Sequence, residues 1–528
     1  MVLRLVNFLA LPSLTLDEAA LALSIVGRPV SSFLSPLEGS QIAPWGFLVL
    51  EKGLFLVFGR SDWGLRLLPL AASLASCVLV RRLAGRMLGG AAVPFATGAF
   101  SLSPGFIYYG GQMKQYATEV AASLLMTLLA SRAWDEGLTL RRAATLGAWG
   151  LGLALLSQSV VFVLTGLFLS LALLAWRKRE RTAALPLAAL AVFWGAGIAW
   201  ALFTNLRLLT PAGRAYVRAF WAQGFLPWPP KGLEPLRFLW GHTWHIFDAG
   251  FLFFPAASVF VVLAGAGLVV LLRRRPDAAL MLGLPVAGVV VASALRVYPY
   301  APGRLTAFLV PSLLFFVGAS VEAVRGLFSG RARVAGWVLA ALVAVAPLRA
   351  LAVQPPPYAP EPVRSALERL QERRRGGDAF YVFYGAVPAF RFYAPRFGLA
   401  DGEIVFGSCG RDDARRVLGE IDRFRGRPRV WVLLTHGLPA FREREVVFGY
   451  LDAVGRRIES LDLDPPGGIP GAELTLALVD LSDPGRLAAA SASGFPLPAL
   501  PRGSEIGLPC AGPIANGPEG ILGGSTRE

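Results

Sequence analysis

The 528-residue chain has only three cysteines, five methionines and three histidines. Cys77, Cys409 and Cys510 are too scattered for a disulfide framework or a thiolate metal cluster, and Cys77 lies within an apolar run, where it packs as a small hydrophobe. No GxGxxG or phosphate-loop signature is present, so the nucleotide-binding α/β classes have no support. Charge is also scarce. Charged residues make up 16% and hydrophobic residues 55%, which excludes an ordinary soluble domain. The little charge there is leans basic, with a net +16 from 51 basic and 35 acidic residues. In a soluble protein that balance would suggest nucleic acid. Here the arginines cluster at the ends of apolar runs, so the positive-inside rule accounts for them and no nucleic-acid partner is expected.

Ten apolar runs are present, at 63–80, 91–109, 117–134, 143–157, 159–176, 183–203, 249–272, 278–295, 304–325 and 333–350. Several approach the ~20 residues of a spanning helix, and the shorter ones can borrow flanking residues. Arg81, Arg82 and Arg86 follow the first run, and Arg141 and Arg142 the third. Arg177-Lys178-Arg179 follow the fifth, Arg273-Arg274-Arg275 the seventh, and Arg325, Arg331 and Arg333 the ninth. The clusters fall on alternate loops, which sets those loops in the cytoplasm. Segments 1–62, 110–116, 204–248, 296–303 and everything after 350 then lie outside, so function is sought on that face.

The expected fold is mainly α: a polytopic membrane helix bundle with about ten complete spans and a small C-terminal extracytoplasmic α/β domain. Residues 1–62 form a first outer loop with juxtamembrane helices, 63–350 the bundle and 351–362 a linker with Pro355-Pro356-Pro357. Residues 363–483 form the α/β domain, with strand-like runs at 379–384, 402–406, 429–435 and 473–480 and helical stretches at 363–375, 385–394, 411–423 and 440–455. The Pro-, Gly-, Ala- and Ser-rich tail, 484–528, is expected to be disordered. Residues 44–59, short and carrying Glu51-Lys52, read as a helix lying at the outer interface. Val2 to Leu14 is too short and interrupted to carry the N-terminus across; either the start is late and the first span truncated, or the first helix is degenerate.

Four polar clusters lie on the outer face. Thr15-Leu16-Asp17-Glu18 matches a capping box, with Thr15 as cap and Glu18 reaching back. Adjacent helical residues do not share a face, so Glu18 reads as structural and Asp17 as pointing elsewhere. Both acids remain catalytic candidates. In Ser101–Glu119, Lys114, Tyr116 and Glu119 follow a glycine turn, and Lys114 opposes the usual charge bias; interfacial snorkelling and an anion contact are both open. Arg296 and Arg304 bracket a proline-rich loop, where headgroup anchoring and bidentate phosphate binding stand level. His242, His245 and Asp248 fall three apart, a spacing that fits an interfacial helix better than a metal site, and His436 reads as a loop residue after a strand.

Taken together, these segments resemble the GT-C integral-membrane glycosyltransferases that use polyprenyl-phosphate sugars, in their bacterial protein mannosyltransferase-like and aminoarabinose transferase-like branches. The resemblance runs over most of residues 14–350. Leu16-Asp17-Glu18-Ala19 is similar to the family's first-loop acid motif, and Gln41 to Phe47 to its juxtamembrane helix, with Trp45 where proline is common. Tyr108-Tyr109 through Lys114-Gln115-Tyr116 resembles its second-loop motif, and Arg296 to Pro311 its late loop and helix. Where related sequences often carry an acid, this chain has Gln112, which puts a metal requirement in doubt unless Glu119 substitutes.

The resemblance implies a polyprenyl-phosphate sugar donor, a lipid, glycan or protein acceptor, and contact with membrane lipids. It implies Asp17 as base or metal ligand, and Lys114, Tyr116, Arg296 and Arg304 on the donor phosphate; whether a divalent metal takes part stays open. Transfer of a sugar from a lipid phosphate needs a carboxylate for the acceptor proton and cations for the leaving phosphate. A transporter or flippase is the main rival, but ionisable residues gather at the outer rim rather than mid-span. A non-catalytic assembly protein is the other.

Overall fold

The computed structural model describes residues 1–498 except 11, 252–255, 328–332, 359–360, 400–402, 412, 438–440 and 464–472. The far tail, with Cys510, lies outside the described residues. All ten apolar runs fall on helices. These are α4 (Leu67–Met87), α5 (Ala92–Leu102) with α6 (Pro104–Gly110), α7 (Tyr116–Asp135), α8 (Leu140–Ala154), α9 (Val160–Lys178), α10 (Ala184–Leu208), α13 (Ala257–Arg274), α14 (Pro276–Ala294), α15 (Val310–Gly326) and α16 (Arg333–Val353). Among the described residues, six helical stretches are long and apolar enough to cross a membrane: Gly64–Met87, Val160–Lys178, Arg181–Leu208, Ala257–Arg274, Pro276–Ala294 and Ala307–Gly326. The second run is split because Pro104 cannot donate and forces Ser103 into an extended conformation, with ψ of 122°. Helices pair most closely as α8 with α10, α13 with α15, α9 with α14 and α4 with α7. At Gly267 of α13 an added Cβ would lie 1.7 Å from the Phe316 carbonyl of α15, so only glycine permits that approach.

Ahead of the bundle come α1 (Val2–Leu9), α2 (Leu16–Gly27) and α3 (Trp45–Phe58). Arg4 looks out of place in an apolar lead-in, yet it is buried and bound. Its guanidinium donates to Ser73 Oγ at 2.8 Å and to the carbonyls of Phe100 and Ser101. Two helices, α11 (Pro211–Phe220) and α12 (Glu234–His245), occupy the long segment between α10 and α13.

The C-terminal region holds α17 (Val363–Arg373), β1 (Ala379–Val382), α18 (Val387–Tyr393), β2 (Glu403–Phe406), α19 (Ala414–Ile421), β3 (Val430–Leu434), α20 (Glu443–Val454), β4 (Arg456–Leu463), β5 (Leu474–Asp480) and α21 (Pro484–Ala489). The sheet order is β2-β1-β3-β5-β4, parallel across β2, β1 and β3 and antiparallel at β5 and β4. Strand β4 is missing from the sequence reading because it is a charged, solvent-facing edge, without the hydrophobic run that marks the others. Residues 484–489, expected to be disordered, are helical. Arg425 holds that segment by donating to the carbonyls of Leu487 and Ala490, and Phe495 packs on Tyr450. Cys77 is a free, buried thiol, whereas Cys409 is disulfide-bonded.

The first loop and this sheet domain share one hydrophobic core, in which Leu14, Leu21, Phe33 and Phe47 join Phe380, Phe390, Trp431 and Leu476. Buried Asp62 reinforces the joint through Arg364, Arg396 and the Tyr393 hydroxyl. The domain therefore sits directly over the first turn of α2.

Candidate active site

The site starts at the N-terminus of α2. Thr15 Oγ1 accepts from the Glu18 N–H, and Glu18 Oε2 accepts from the Thr15 N–H at 3.0 Å, closing the predicted capping box. Glu18 does more than cap. Its Oε1 also takes Arg66, at 3.1 Å in a pair almost wholly buried, and the Met113 N–H at 2.7 Å. This one carboxylate thus fixes α2, the turn before α4 and the loop that carries Lys114.

Asp17 takes different partners and keeps part of its side chain open to solvent. Its Oδ1 accepts from Gln41 Nε2 at 3.0 Å, and its Oδ2 is ion-paired with Arg304. The same Gln41 accepts from Lys114 Nζ through Oε1, so one amide couples the lysine to the carboxylate. Arg304 lies over the Trp221 ring, 5.6 Å from its centroid. Its loop is held by Tyr298, which donates to the Leu305 carbonyl at 2.9 Å, and by the Tyr300 N–H on the Gly224 carbonyl at 2.7 Å. Tyr116 packs its ring 5.5 Å from Tyr109, forming an aromatic wall beside the cations.

Electrostatics follow from this crowding. Burial alone would raise the Asp17 carboxyl, but Arg304, Lys114 and His436 hold it well below the usual carboxylate range. Burial pushes Lys114 down to about 8, with Arg304 adding to the fall and Asp17 opposing it. Burial also works against the Arg304 charge, but Tyr116 and Asp17 outweigh it and keep the guanidinium firmly protonated. Arg304 and Asp17 keep 31% and 28% of their side-chain surface, so a ligand can reach this pair, unlike the pair beside it. Two cations and one carboxylate at the mouth of an apolar bundle suit an anionic headgroup on a greasy chain.

Residues 43–203 match the family described as dolichyl-phosphate-mannose-protein mannosyltransferase. That match spans less than a third of the chain and marks a likeness to the family over this segment. No curated protein matches its sequence. Among solved structures, it is similar to ArnT from Cupriavidus metallidurans bound to undecaprenyl phosphate, at 10% identity and TM-score 0.46, over 90% of this chain and 96% of that one. It is also similar to the Archaeoglobus fulgidus oligosaccharyltransferase with zinc and sulfate, at 13% identity and TM-score 0.47, over 86% and 71%. The archaeal oligosaccharyltransferase AglB from Archaeoglobus fulgidus, with an inhibitory peptide and a dolichol-phosphate, gives 11% identity and TM-score 0.44, over 86% and 72%. Likenesses of this strength do not transfer residue roles.

Not every predicted residue joins this cluster. Arg296, expected on the donor phosphate, is exposed, with a left-handed φ of 56°. Glu119 cannot replace the missing acid at Gln112, because it is buried against the backbone N–H groups of Gln158 and Ser159 and the Ser159 hydroxyl. His242 is committed to the carbonyls of Phe238 and Gln223. Among the described residues no group of three or more His, Cys, Asp or Glu could hold a metal ion. A divalent cation also fits this cluster poorly, since its one carboxylate is flanked by Arg304 and Lys114.

Three residues of this cluster were not assigned to a site from the sequence. Gln41 couples Lys114 to Asp17. Glu361, just before α17, accepts from the Leu16 N–H at 2.8 Å through Oε2, and its Oε1 meets His436 Nδ1 at 3.2 Å. His436 had one legible signal, its place past the carboxyl end of a parallel strand, where open α/β sheets put ligands.

Proposed function

We propose that this enzyme moves a sugar from a polyprenyl-phosphate donor to an acceptor hydroxyl on a lipid, glycan or protein, at the outer face of the cytoplasmic membrane. The observation that carries the reading is the reachable Asp17–Arg304 pair, coupled to Lys114 through Gln41. The family matched over residues 43–203 is itself described by a dolichyl-phosphate sugar. Alternation of basic loops supports the outer placement, as does disulfide-bonded Cys409, since disulfides persist in oxidising compartments.

In this reading the donor phosphate displaces Asp17 from Arg304. A guanidinium fork binds two phosphate oxygens at once, and Lys114 adds a point charge. The polyprenyl chain stays against the apolar helices. Released from Arg304, Asp17 keeps Gln41 and accepts the hydrogen bond of the acceptor hydroxyl, aligning it with the anomeric carbon. The bond from that carbon to phosphate breaks as the new glycosidic bond forms on the opposite face. Tyr116 walls the site. Glu18 takes no part in the chemistry and holds the frame.

The test is Asp17→Asn in a deletion strain, with mass spectrometry of lipid-linked and protein-linked glycans. The proposal expects the product of the wild-type gene to disappear. Product at the wild-type level would sink it.

A further inference from the structure

His436 is placed with unusual care for a residue in a loop. It follows β3 by two positions, and its φ of 58° lies in the left-handed region, which a non-glycine residue rarely adopts. Room for it depends on Gly385, three residues beyond β1. A Cβ there would stand 2.4 Å from the Thr435 carbonyl oxygen and 3.0 Å from the His436 Cβ. Strain of this kind at the carboxyl edge of a parallel sheet points toward function.

The imidazole is held by one nitrogen. Nδ1 meets Glu361, which is buried and anchored by the Leu16 N–H, the residue before Asp17. No hydrogen bond from Nε2 to a described residue is present, and the side chain keeps 36% of its surface. A buried carboxylate that orients a partly exposed imidazole is the working part of a general base. The neighbouring Asp17 is left to align the acceptor: once the donor takes Arg304, its Oδ1 still accepts from Gln41 and its Oδ2 receives the acceptor hydroxyl. The cations that hold the donor phosphate also depress the proton affinity of Asp17.

We propose that His436, oriented by Glu361, is the C-terminal domain's catalytic residue and receives the acceptor's proton on Nε2. This rests on the glycosyl-transfer reading above. The acceptor O–H bond breaks as the glycosidic C–O bond forms, the sugar's bond to phosphate breaks, and polyprenyl phosphate leaves with that electron pair. The proton resides on the imidazole, paired with Glu361, and passes to water. Asp17 aligns the nucleophile and steadies the imidazolium. The groups facing His436 are Glu361 from the segment before α17, Asp17 from α2 and Arg411 from the loop after β2. Burial alone would lower its pKa, but Glu361 and then Asp17 outweigh burial and Arg411, so the imidazole titrates above its ordinary range.

The test uses membrane vesicles of the native host, which supply their own donor and acceptor, and follows glycan product by mass spectrometry across pH. Wild-type kcat/KM is expected to rise with pH through the His436 titration, because the neutral imidazole is the active form. His436→Gln should lower the rate by about 10²-fold or more and remove the rising limb. Glu361→Gln should keep a limb but move it to lower pH, since the imidazolium loses its partner. With only three histidines in the chain, NMR of imidazole-labelled protein gives a readout without turnover: the resonance lost in His436→Gln should titrate above 6.5 in the wild type and lower in Glu361→Gln. If His436→Gln fails to fold, the Glu361→Gln shift decides. A His436→Gln enzyme within about threefold of wild type, with Asp17→Asn inactive, overturns this inference and leaves the transfer reading standing. Both variants active would overturn the transfer reading itself. A rising limb that Glu361→Gln leaves in place would overturn the role of the pair.

Discussion

The first turn of α2 carries two adjacent acids, each holding an arginine, and their surroundings make them opposites. Glu18 and Arg66 keep 1% and 2% of their side-chain surface, while Asp17 and Arg304 keep 28% and 31%. Enclosed, an ion pair becomes a strut, because removing one partner strands a charge in low dielectric. Partly open to solvent, the same pair is exchangeable, since a phosphate can replace the carboxylate on the guanidinium. Neighbouring positions on a helix thus divide into frame and chemistry through a rotation of about 100°.

The largest effect expected from breaking this comparison is on Asp17. Asp17→Asn should lower transfer by about 10²–10⁴-fold while leaving thermal stability near wild type, read by product mass spectrometry and a detergent melt. Glu18→Gln should invert that pattern. Stability is expected to fall by about 3–5 kcal/mol, seen as a lower melting temperature and poor yield, with activity per folded molecule largely kept. Arg304→Lys retains the charge but loses the fork. Donor affinity should fall about tenfold, measured by titration with a polyprenyl phosphate.

A pH series sharpens the same contrast. Burial places Lys114 at about 8, so its ammonium is lost as pH rises through that value. Affinity for a polyprenyl phosphate should therefore decline above about 8, and Lys114→Arg should carry the decline to higher pH, because arginine stays charged. Nothing comparable is expected from the enclosed Glu18 pair. The smallest effect is assigned to Arg296→Ala. Exposed to solvent, it should change transfer less than about twofold in the same assay.

Much of the frame was legible in the sequence. Apolar runs marked all ten helical segments, and the Thr15–Glu18 spacing announced the cap. Lys114 and Arg304 stood out because they oppose the charge rule, and both meet at Asp17. Arg296 carried an equal signal but is exposed, whereas Arg304 pairs with Asp17, a difference that their spacing does not report. Gln41, Glu361 and His436 gave little local signal. They converge through a hydrophobic core shared by segments more than 300 residues apart, and no periodicity reports such a contact. Strand β4 was hidden for the reverse reason, as a charged edge.

The most direct test of the central claim is a structure of the enzyme with a polyprenyl phosphate bound. The account predicts phosphate oxygens within hydrogen-bond reach of Arg304 and Lys114, Asp17 released from Arg304, and the Glu18–Arg66 pair unchanged. A phosphate bound elsewhere, with Asp17 still paired to Arg304, would contradict it.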